Sequence, residues 1–290
     1  MTESKVKIDA HTALYGIFGN PVRHSFSPLI HNALFDRFNI NAAYLAFEVE
    51  RHSLGLAFEA MRAMGMRGVN ITIPFKEEAV NFIDEMPEDM DRCVNALNTV
   101  VNRDGQLYGY NTDVSGFLIG LKEDLKFNPE AKKAFVLGAG GGARAVVFAL
   151  ARAHADEIMI YNRSTERAEG LCDYVSKYFP ETAIDVIEDP GLADGRKPDL
   201  IVNATSLGMK EKDAAVFDLK LLTHKTSVYD LVYSPSETPF LKQAKKLGLL
   251  HANGLGMLAA QAALSFELWT GEKEGVRETM LEALKKCFTS

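Results

Sequence analysis

The stretch KKAFVLGAGGGARAVVFALARA, residues 132–153, restricts the fold of this chain more tightly than any other. A short apolar run ends in glycines, and an alanine-rich segment of helical length follows. Gly138, Gly140 and Ala143 match G-x-G-x-x-G/A. Such a match means little alone, because glycine turns are common. Here a strand precedes it, a helix follows it, and EIMIYNRS supplies another strand within about thirty residues, the context of a dinucleotide-binding βαβ unit. Gly138 permits the tight turn, Gly140 lets the backbone approach a pyrophosphate, and small Ala143 lets helix and strand pack closely. The N–H groups of the helix start then face the phosphates. The competing reading is a tight βα turn with no ligand.

The end of the second strand selects between the two nicotinamide dinucleotides. An NAD site carries Asp or Glu there, about 20 residues past the glycines, to bond the ribose 2′-hydroxyl. This chain has Asn162-Arg163-Ser164, with Arg167 following. No acid occupies the position, and two guanidinium groups can pair a dianionic 2′-phosphate. The sequence therefore predicts NADP(H) over NAD(H); the alternative is that both arginines are solvated residues of a helix start.

The rest of the chain is read around this unit. Its 290 residues are enough for about two domains, and 47% apolar against 24% charged residues can bury a full core. A net charge of −7 gives no global attraction to nucleic acid or anionic membrane, so a small anionic substrate needs local cations. Cys93, Cys172 and Cys287 are far apart and show no metal-ligand spacing. The N-terminus, MTESKVKIDAHT, is too polar for a signal peptide, and no apolar run approaches the ~18 residues of a membrane span. The expectation is a reduced, cytoplasmic protein without metal, nucleic-acid or membrane partner, with a homodimer as the candidate assembly.

Before the glycine unit, strands and helices alternate. Strands are expected at 14–18, 43–47 and 69–73, helices at 28–38 and 53–64, and another helix after Pro74. Residues 98–102 and 106–110 form a hairpin around Asp104-Gly105. This alternation predicts a mainly parallel sheet covered by helices, with an antiparallel hairpin at its edge. A polar stretch, 122–133, leads into the second region, with a helix at 165–178 and strands at 183–187, 200–203 and 227–231. Two helices, 255–269 and 275–288, close the chain, and the small residues Ala259, Ala260, Ala262 and Ala263 suit close packing.

Several polar residues are ambiguous by themselves. In GVNITIPFKEEAV, Asn70 and Thr72 alternate with Val69, Ile71 and Ile73, and Lys76 falls in the first turn expected after Pro74. A cation there is disfavoured by roughly 0.3–1 kcal/mol, so Lys76 is either an ordinary surface lysine or one placed for chemistry. Ser27, followed by Pro28, reads as an N-cap; Ser25 has no such explanation. Thr112 or Asp113 could cap the helix beginning near Val114. His24 and His31 are candidate acid–base groups, though a histidine beside a helix start more often makes a structural hydrogen bond. Tyr233 and Gln261 are individually unremarkable.

Together these stretches resemble the shikimate dehydrogenase family. GNPVRHSFSP, NITIPFKEE, ALNTVV, YGYNTD, GAGGGAR, NRS, NATSLGM, DLVYSPSETPFL and NGLGMLAAQAALSFELWTG occur in the family's order across residues 15–288. The resemblance implies an α/β substrate domain (1–113, completed by helices 254–290) and a Rossmann-like NADP domain (114–253), with the active site in the cleft between them. The implied reaction is the NADPH-dependent, reversible reduction of 3-dehydroshikimate to shikimate, a step of aromatic amino-acid biosynthesis. Lys76 and Asp113 resemble the catalytic pair; which of them carries the proton at each step stays open. Ser25, Ser27, Asn70, Thr72, Lys76, Asn98, Asp113, Tyr233 and Gln261 resemble substrate contacts. Gly138, Ala139, Gly140, Gly141, Gly142, Ala143, Asn162, Arg163, Ser164, Arg167, Thr205 and Gly254 resemble the cofactor site.

Departures from the family's pattern are few. RCVNALNTV replaces a commoner small-residue run before Asn98, Asn253 stands where Asp is frequent, and Ser164 where Thr is usual. Quinate-using relatives often carry an acid after the second nucleotide strand or lose one serine of the Ser-x-Ser pair; this chain does neither. A quinate/shikimate enzyme of broader specificity and a non-catalytic NADP-binding relative are the competing expectations. A methyltransferase could also use a glycine turn, but the two arginines do not suit it.

Overall fold

The computed structural model describes residues 8–210 and 212–288, except for the side chains of Cys287 and Phe288. The N-terminal residues 1–7 and the Cys287 side chain, which entered the targeting and cysteine readings, lie outside the described residues. The chain forms two compact units. One runs to Thr112 and resumes at Gln261; the other is Asp113–Ala260.

The first unit is an α/β layer structure. Its strands are β1 (Ala13–Gly19), β2 (Ala42–Glu48), β3 (Gly68–Ile71), β4 (Thr99–Arg103) and β5 (Gln106–Tyr110), in the order β2-β1-β3-β4-β5. β1 pairs parallel with β2 and β3, while β3–β4 and β4–β5 are antiparallel. This is the expected parallel sheet with a hairpin edge. Helices α1 (Ser27–Arg37), α2 (Leu54–Ala63) and the short α3 (Asp89–Val94) connect the strands.

Both faces of β3 are covered. Val69 and Ile71 join Phe58, Met61, Phe75, Leu97 and Val100 in one core. On the other face, a Cβ on Gly68 would strike Trp269, whose Nε1–H donates to Val100 O at 3.0 Å. The strand therefore lacks the polar solvent face that its alternation suggests: Asn70 is 5% exposed. The strand also ends at Ile71, two residues early, and Ile73 is exposed.

The helix expected after Pro74 is a second correction. Only a 3-10 stretch forms, Glu78–Phe82, and the chain is extended again at Ile83 (φ −101°, ψ 160°). Phe75, Val80 and Phe82 carry the apolar spacing that suggests a helix, and Phe75 is buried with Val80 and Phe82 partly so, but the segment is too short to propagate an α-helix. Lys76 lies ahead of that stretch, so no aligned α-helical dipole opposes its charge there.

In the second unit, α4 (Thr112–Asp124) leads to six strands: β6 (Lys133–Leu137), β7 (Glu157–Tyr161), β8 (Ala183–Val186), β9 (Leu200–Asn203), β10 (Ser227–Asp230) and β11 (His251–Asn253). All pairings are parallel, in the order β11-β10-β9-β6-β7-β8. Read from the other edge this is the doubly wound 3-2-1-4-5-6 order. Helix α5 (Gly141–Arg152) is buried continuously from Ala145 to Ala151, as its nearly all-apolar sequence requires. The remaining helices are α6 (Thr165–Ser176), α7 (Ala193–Arg196), α8 (Pro239–Lys246) and α9 (Leu255–Thr270), the last crossing into the first unit; α10 (Val276–Phe288) closes the chain. Sequence patterning passed over β11 because it has three residues, and α3, α7 and α8 because they are short.

Candidate active site

The strand order of the second unit reverses between β6 and β9, and ligands of such sheets bind in the crevice beyond the carboxyl ends of the strands at that point. The glycine turn leaves β6 there. Gly138 has φ +117°, and a Cβ would lie 2.9 Å from Ala204 O and 3.1 Å from Thr205 Cγ2, so both conformation and space demand glycine. Gly140 has ordinary φ (−94°) and caps α5 without a side chain. A Cβ there meets nothing within 4 Å, so the face it would cover is open beside the N–H groups of the first turn. Gly141 opens the helix, and a Cβ on Gly142 would touch only Leu231. Ala143 is fully buried, as close helix–strand packing requires, and Ala139 is half-buried.

At the end of β7, Asn162 Nδ2 donates to Ser164 O at 2.9 Å and shapes the turn into α6. Ser164 Oγ donates to Glu166 at 2.8 Å, and this bond lowers the Glu166 pKa. Arg163 and Arg167 are exposed. An uncapped helix start, an open glycine and two exposed guanidinium groups with no acid at the strand end together fit a dinucleotide bearing a 2′-phosphate. Thr205 follows β9; its N–H and Oγ1–H both donate to Asn203 Oδ1, at 3.0 and 2.7 Å. Gly254 has a packing role, because a Cβ there would strike Leu231 O.

In the first unit, candidate residues gather at the carboxyl ends of β1 and β3. Gly19 lacks the Cβ that would collide with Thr72, and Thr72 N–H donates to Phe18 O at 2.9 Å. Ser25 Oγ accepts from Ser27 N–H at 3.2 Å and donates to Ser27 Oγ at 3.1 Å. Ser27 is the first residue of α1 and not its side-chain cap, so the N-cap expectation fails and Ser25 serves the helix start instead. Lys76 is half-buried, and its carbonyl accepts from Leu97 N–H at 2.8 Å, which holds it one residue from Asn98.

A buried hydrogen-bond network joins Asn70, Asn98 and Gln261. Tyr44 Oη donates to Asn70 Oδ1 at 2.7 Å; burial raises the Tyr44 pKa well above its usual value, which keeps the donor proton in place. Asn70 Nδ2 lies within bonding distance of Asn98 O, Thr99 Oγ1 and Ser265 Oγ. Asn98 Nδ2 donates to Thr112 Oγ1 at 2.8 Å and to Gln261 Oε1 at 3.0 Å, while its Oδ1 accepts from Thr112 N–H at 2.8 Å. Thr112 therefore opens α4 tied to Asn98.

Asp113, 4% exposed in the first turn of α4, belongs to the second unit, as does Tyr233, whose pKa burial raises. His24 is exposed. His31 is neither an acid–base group open to solvent nor a structural hydrogen bonder: it is fully buried, stacked on Tyr44 at 4.5 Å, and neither ring nitrogen has a hydrogen-bond partner. Sequence reading missed Tyr44, Thr99 and Ser265. Ser265 carried a signal, since it stands one helical turn past Gln261 and shares its face. Among the described residues no His, Cys, Asp and Glu group could hold a metal, and no helix is long and apolar enough to cross a membrane.

A glycine turn at the switch point of a doubly wound parallel sheet places the second unit in the dinucleotide-binding class of α/β folds. Three family models match the chain: the shikimate dehydrogenase substrate binding domain over residues 17–100, shikimate/quinate 5-dehydrogenase over 122–206, and the shikimate 5′-dehydrogenase C-terminal domain over 254–285. A shikimate dehydrogenase (NADP(+)) of Caldanaerobacter subterraneus subsp. tengcongensis is 43% identical over 268 residues, 92% of this chain and 95% of that protein. The crystal structure of shikimate dehydrogenase from Aquifex aeolicus is similar at TM-score 0.85 and 39% identity, over 94% of this chain and 99% of that one. Shikimate 5-dehydrogenase from Thermus thermophilus, solved in complex with NADP(H) and shikimate, is similar at TM-score 0.82 and 34% identity, over 94% and 100%. The chain belongs to the shikimate dehydrogenase family.

Proposed function

We propose that this protein is an NADP-dependent shikimate dehydrogenase, reversibly reducing 3-dehydroshikimate to shikimate in aromatic amino-acid biosynthesis. The observation that carries the reading is the presence, in one family member, of an acid-free, arginine-bearing second-strand end and of a buried Asn70–Asn98–Gln261 network beside the Leu97 contact of the Lys76 backbone. We assign substrate to a domain of residues 1–113 completed by 254–290 and the cofactor to 114–253.

Bound NADPH supplies the hydride. As the substrate carbonyl gains it, negative charge develops on oxygen; the Lys76 ammonium stabilises that oxygen and delivers its proton. Asp113 is the second member of the catalytic pair, and in the oxidative direction one member of the pair accepts the hydroxyl proton. Ser25 and Ser27, at the start of α1, hold the substrate carboxylate through hydroxyls and the helix N-terminus. Asn70, Thr72, Asn98, Tyr233 and Gln261 meet the ring hydroxyls. Gly138 to Ala143 and Thr205 cradle the pyrophosphate side, Asn162, Arg163, Ser164 and Arg167 the adenosine phosphate, and Gly254 completes the cofactor wall. The protein works in the cytoplasm, and we assign it a homodimer, which light scattering checks.

Initial rates with shikimate and quinate, each with NADP⁺ and NAD⁺, test the reading. Turnover is expected with shikimate and NADP⁺, well above the other three combinations. No turnover with any combination overturns it, and equal use of quinate replaces it with a broader-specificity enzyme.

A further inference from the structure

Asp230 ends β10 fully buried, in the second unit, and no role proposed above uses it. Its Oδ1 accepts from Asn203 Nδ2 at 2.8 Å and from Val232 N–H at 3.0 Å, and its Oδ2 accepts from Thr238 Oγ1 at 2.6 Å. These partners sit on three separate segments. Asn203 ends β9, and its Oδ1 holds both the N–H and the hydroxyl of Thr205, while its Nδ2 also donates to Leu207 O at 3.0 Å. Val232 precedes Tyr233. Thr238 caps α8, accepting from Leu241 N–H at 3.2 Å, and its side chain lies 3.2 Å from where a Cβ on Gly208 would stand. A buried carboxylate with three donors is a strong and directional tie, and leaving those donors unmatched is costly.

The loops so joined are not merely adjacent in sequence to candidate residues. They form the walls of a cleft of about 380 Å³, with Met209 and Lys210 from the loop after β9 and Ser234, Pro235, Glu237 and Lys242 from the segment after β10. Burial is also the reason the Asp230 pKa rises, to about 6, which leaves the group charged at neutral pH.

We propose that Asp230 is a positioning residue that locks the loop after β9, the loop after β10 and the start of α8 into one rigid edge, so that Thr205 and Tyr233 are presented together. Asp230 acts through its hydrogen bonds and touches neither substrate nor cofactor. The inference rests on the proposed function for the roles of Thr205 and Tyr233.

Asp230→Ala and Asp230→Asn separate this from a purely structural role. Asparagine can keep an oxygen facing Asn203 and Val232 while its NH₂ donates to Thr238 Oγ1, whose hydroxyl rotates. Asp230→Asn is therefore expected to retain kcat/KM within about threefold, whereas Asp230→Ala loses about 10–100-fold, the scale of small misplacements in an active site. The loss should appear as raised KM for both NADP⁺ and shikimate at a temperature where the variant is fully folded. Should Asp230→Ala not fold, Thr238→Val removes the Oδ2 partner together with the α8 cap and, at a temperature where it is fully folded, is read the same way. Unchanged KM and kcat in the folded variant, with only a lower unfolding temperature, would overturn the proposal. So would equal losses in Asp230→Asn and Asp230→Ala, which would make charge the cause instead of geometry. NADP⁺ titration by fluorescence reads the effect of each variant directly, so wild-type protein that binds NADP⁺ without turning over shikimate would sink the functional reading while still testing this one.

Discussion

His31 offers the sharpest physical test of the first unit. Its ring lies flat on Tyr44, 4.5 Å away at 11°, with Trp269 at 5.2 Å and Phe266 at 6.3 Å. No hydrogen bond reaches it, and desolvation pushes its pKa from 6.5 down to about 3. In the folded protein the ring therefore stays neutral where the unfolded chain takes up a proton. The stability tied to that neutral ring is complete above about pH 6.5 and drains away as pH falls toward 3. Between about pH 7.5 and 5 the loss comes to ~2 kcal/mol, because at pH 5 the protonated form of the unfolded histidine outnumbers the neutral form by about thirty to one, while the folded one is scarcely protonated.

One opposing group matters. Asp230 binds its proton more tightly when folded, its pKa raised from 3.8 to about 6. Its effect on stability is therefore favourable at low pH and is lost as pH rises from 3.8 to about 6, returning ~1.4 kcal/mol over the same acidification. Two features isolate His31 from it. His31→Phe leaves Asp230 in place, so the difference between variant and wild type removes that contribution. Trp269 is the single tryptophan of the chain and packs on His31, so its fluorescence reports the unit that holds the histidine. Urea titrations followed by that fluorescence should show wild type losing about 2 kcal/mol more than His31→Phe between the two pH values. Parallel losses, within about 0.5 kcal/mol, would mean that the ring is protonated or hydrated in the folded state and would refute the reasoning.

The site makes three further predictions. Lys76→Ala should lower kcat by about 10²–10⁴-fold, the range for a positioned acid–base group, with its unfolding midpoint little changed; wild-type turnover or an unfolded variant counts against the assignment. Arg163→Ala should raise KM for NADP⁺ at least about tenfold while leaving NAD⁺ kinetics nearly unchanged, and equal losses with both would remove the 2′-phosphate reading. Gly138→Ala must hold φ +117° with its Cβ 2.9 Å from Ala204 O, so calorimetry should find it destabilised by about 1–3 kcal/mol with weaker NADP⁺ binding; a variant as stable as wild type would contradict the close approach.

What could be read from sequence was local. The glycine turn needs only neighbours in the chain, and the βα alternation is a matter of period, so the parallel sheet, the hairpin edge and the dinucleotide unit were all visible. What escaped depends on partners far away in sequence. Asn70 alternates with apolar residues like an exposed strand residue, yet its Nδ2 reaches Ser265, 195 residues away. Only the return of α9 reveals that this face of β3 is interior. Asp230 was hidden for the same reason: a carboxylate at a strand end reads as solvated until Asn203 and Thr238 close around it.

Lys76 shows how a sound-looking physical premise can be misplaced. A helix directly after Pro74 would make its position costly, and that cost is the ground for reading a function into it. The chain forms only the 3-10 stretch Glu78–Phe82, beyond the lysine, so that electrostatic penalty does not arise. The stronger reason to look at Lys76 is mechanical. Its backbone is pinned to Leu97, and the next residue, Asn98, is bonded to Thr112 and Gln261. The lysine backbone is thus held at a joint one residue from the Asn98 amide and its bonds. If that joint is what places the ammonium, Asn98→Ala should misplace Lys76 as well as remove a polar contact. Its kcat should then fall, about tenfold or more, and not only its affinity for shikimate. A rise in KM at constant kcat would show that Asn98 binds substrate without holding the lysine.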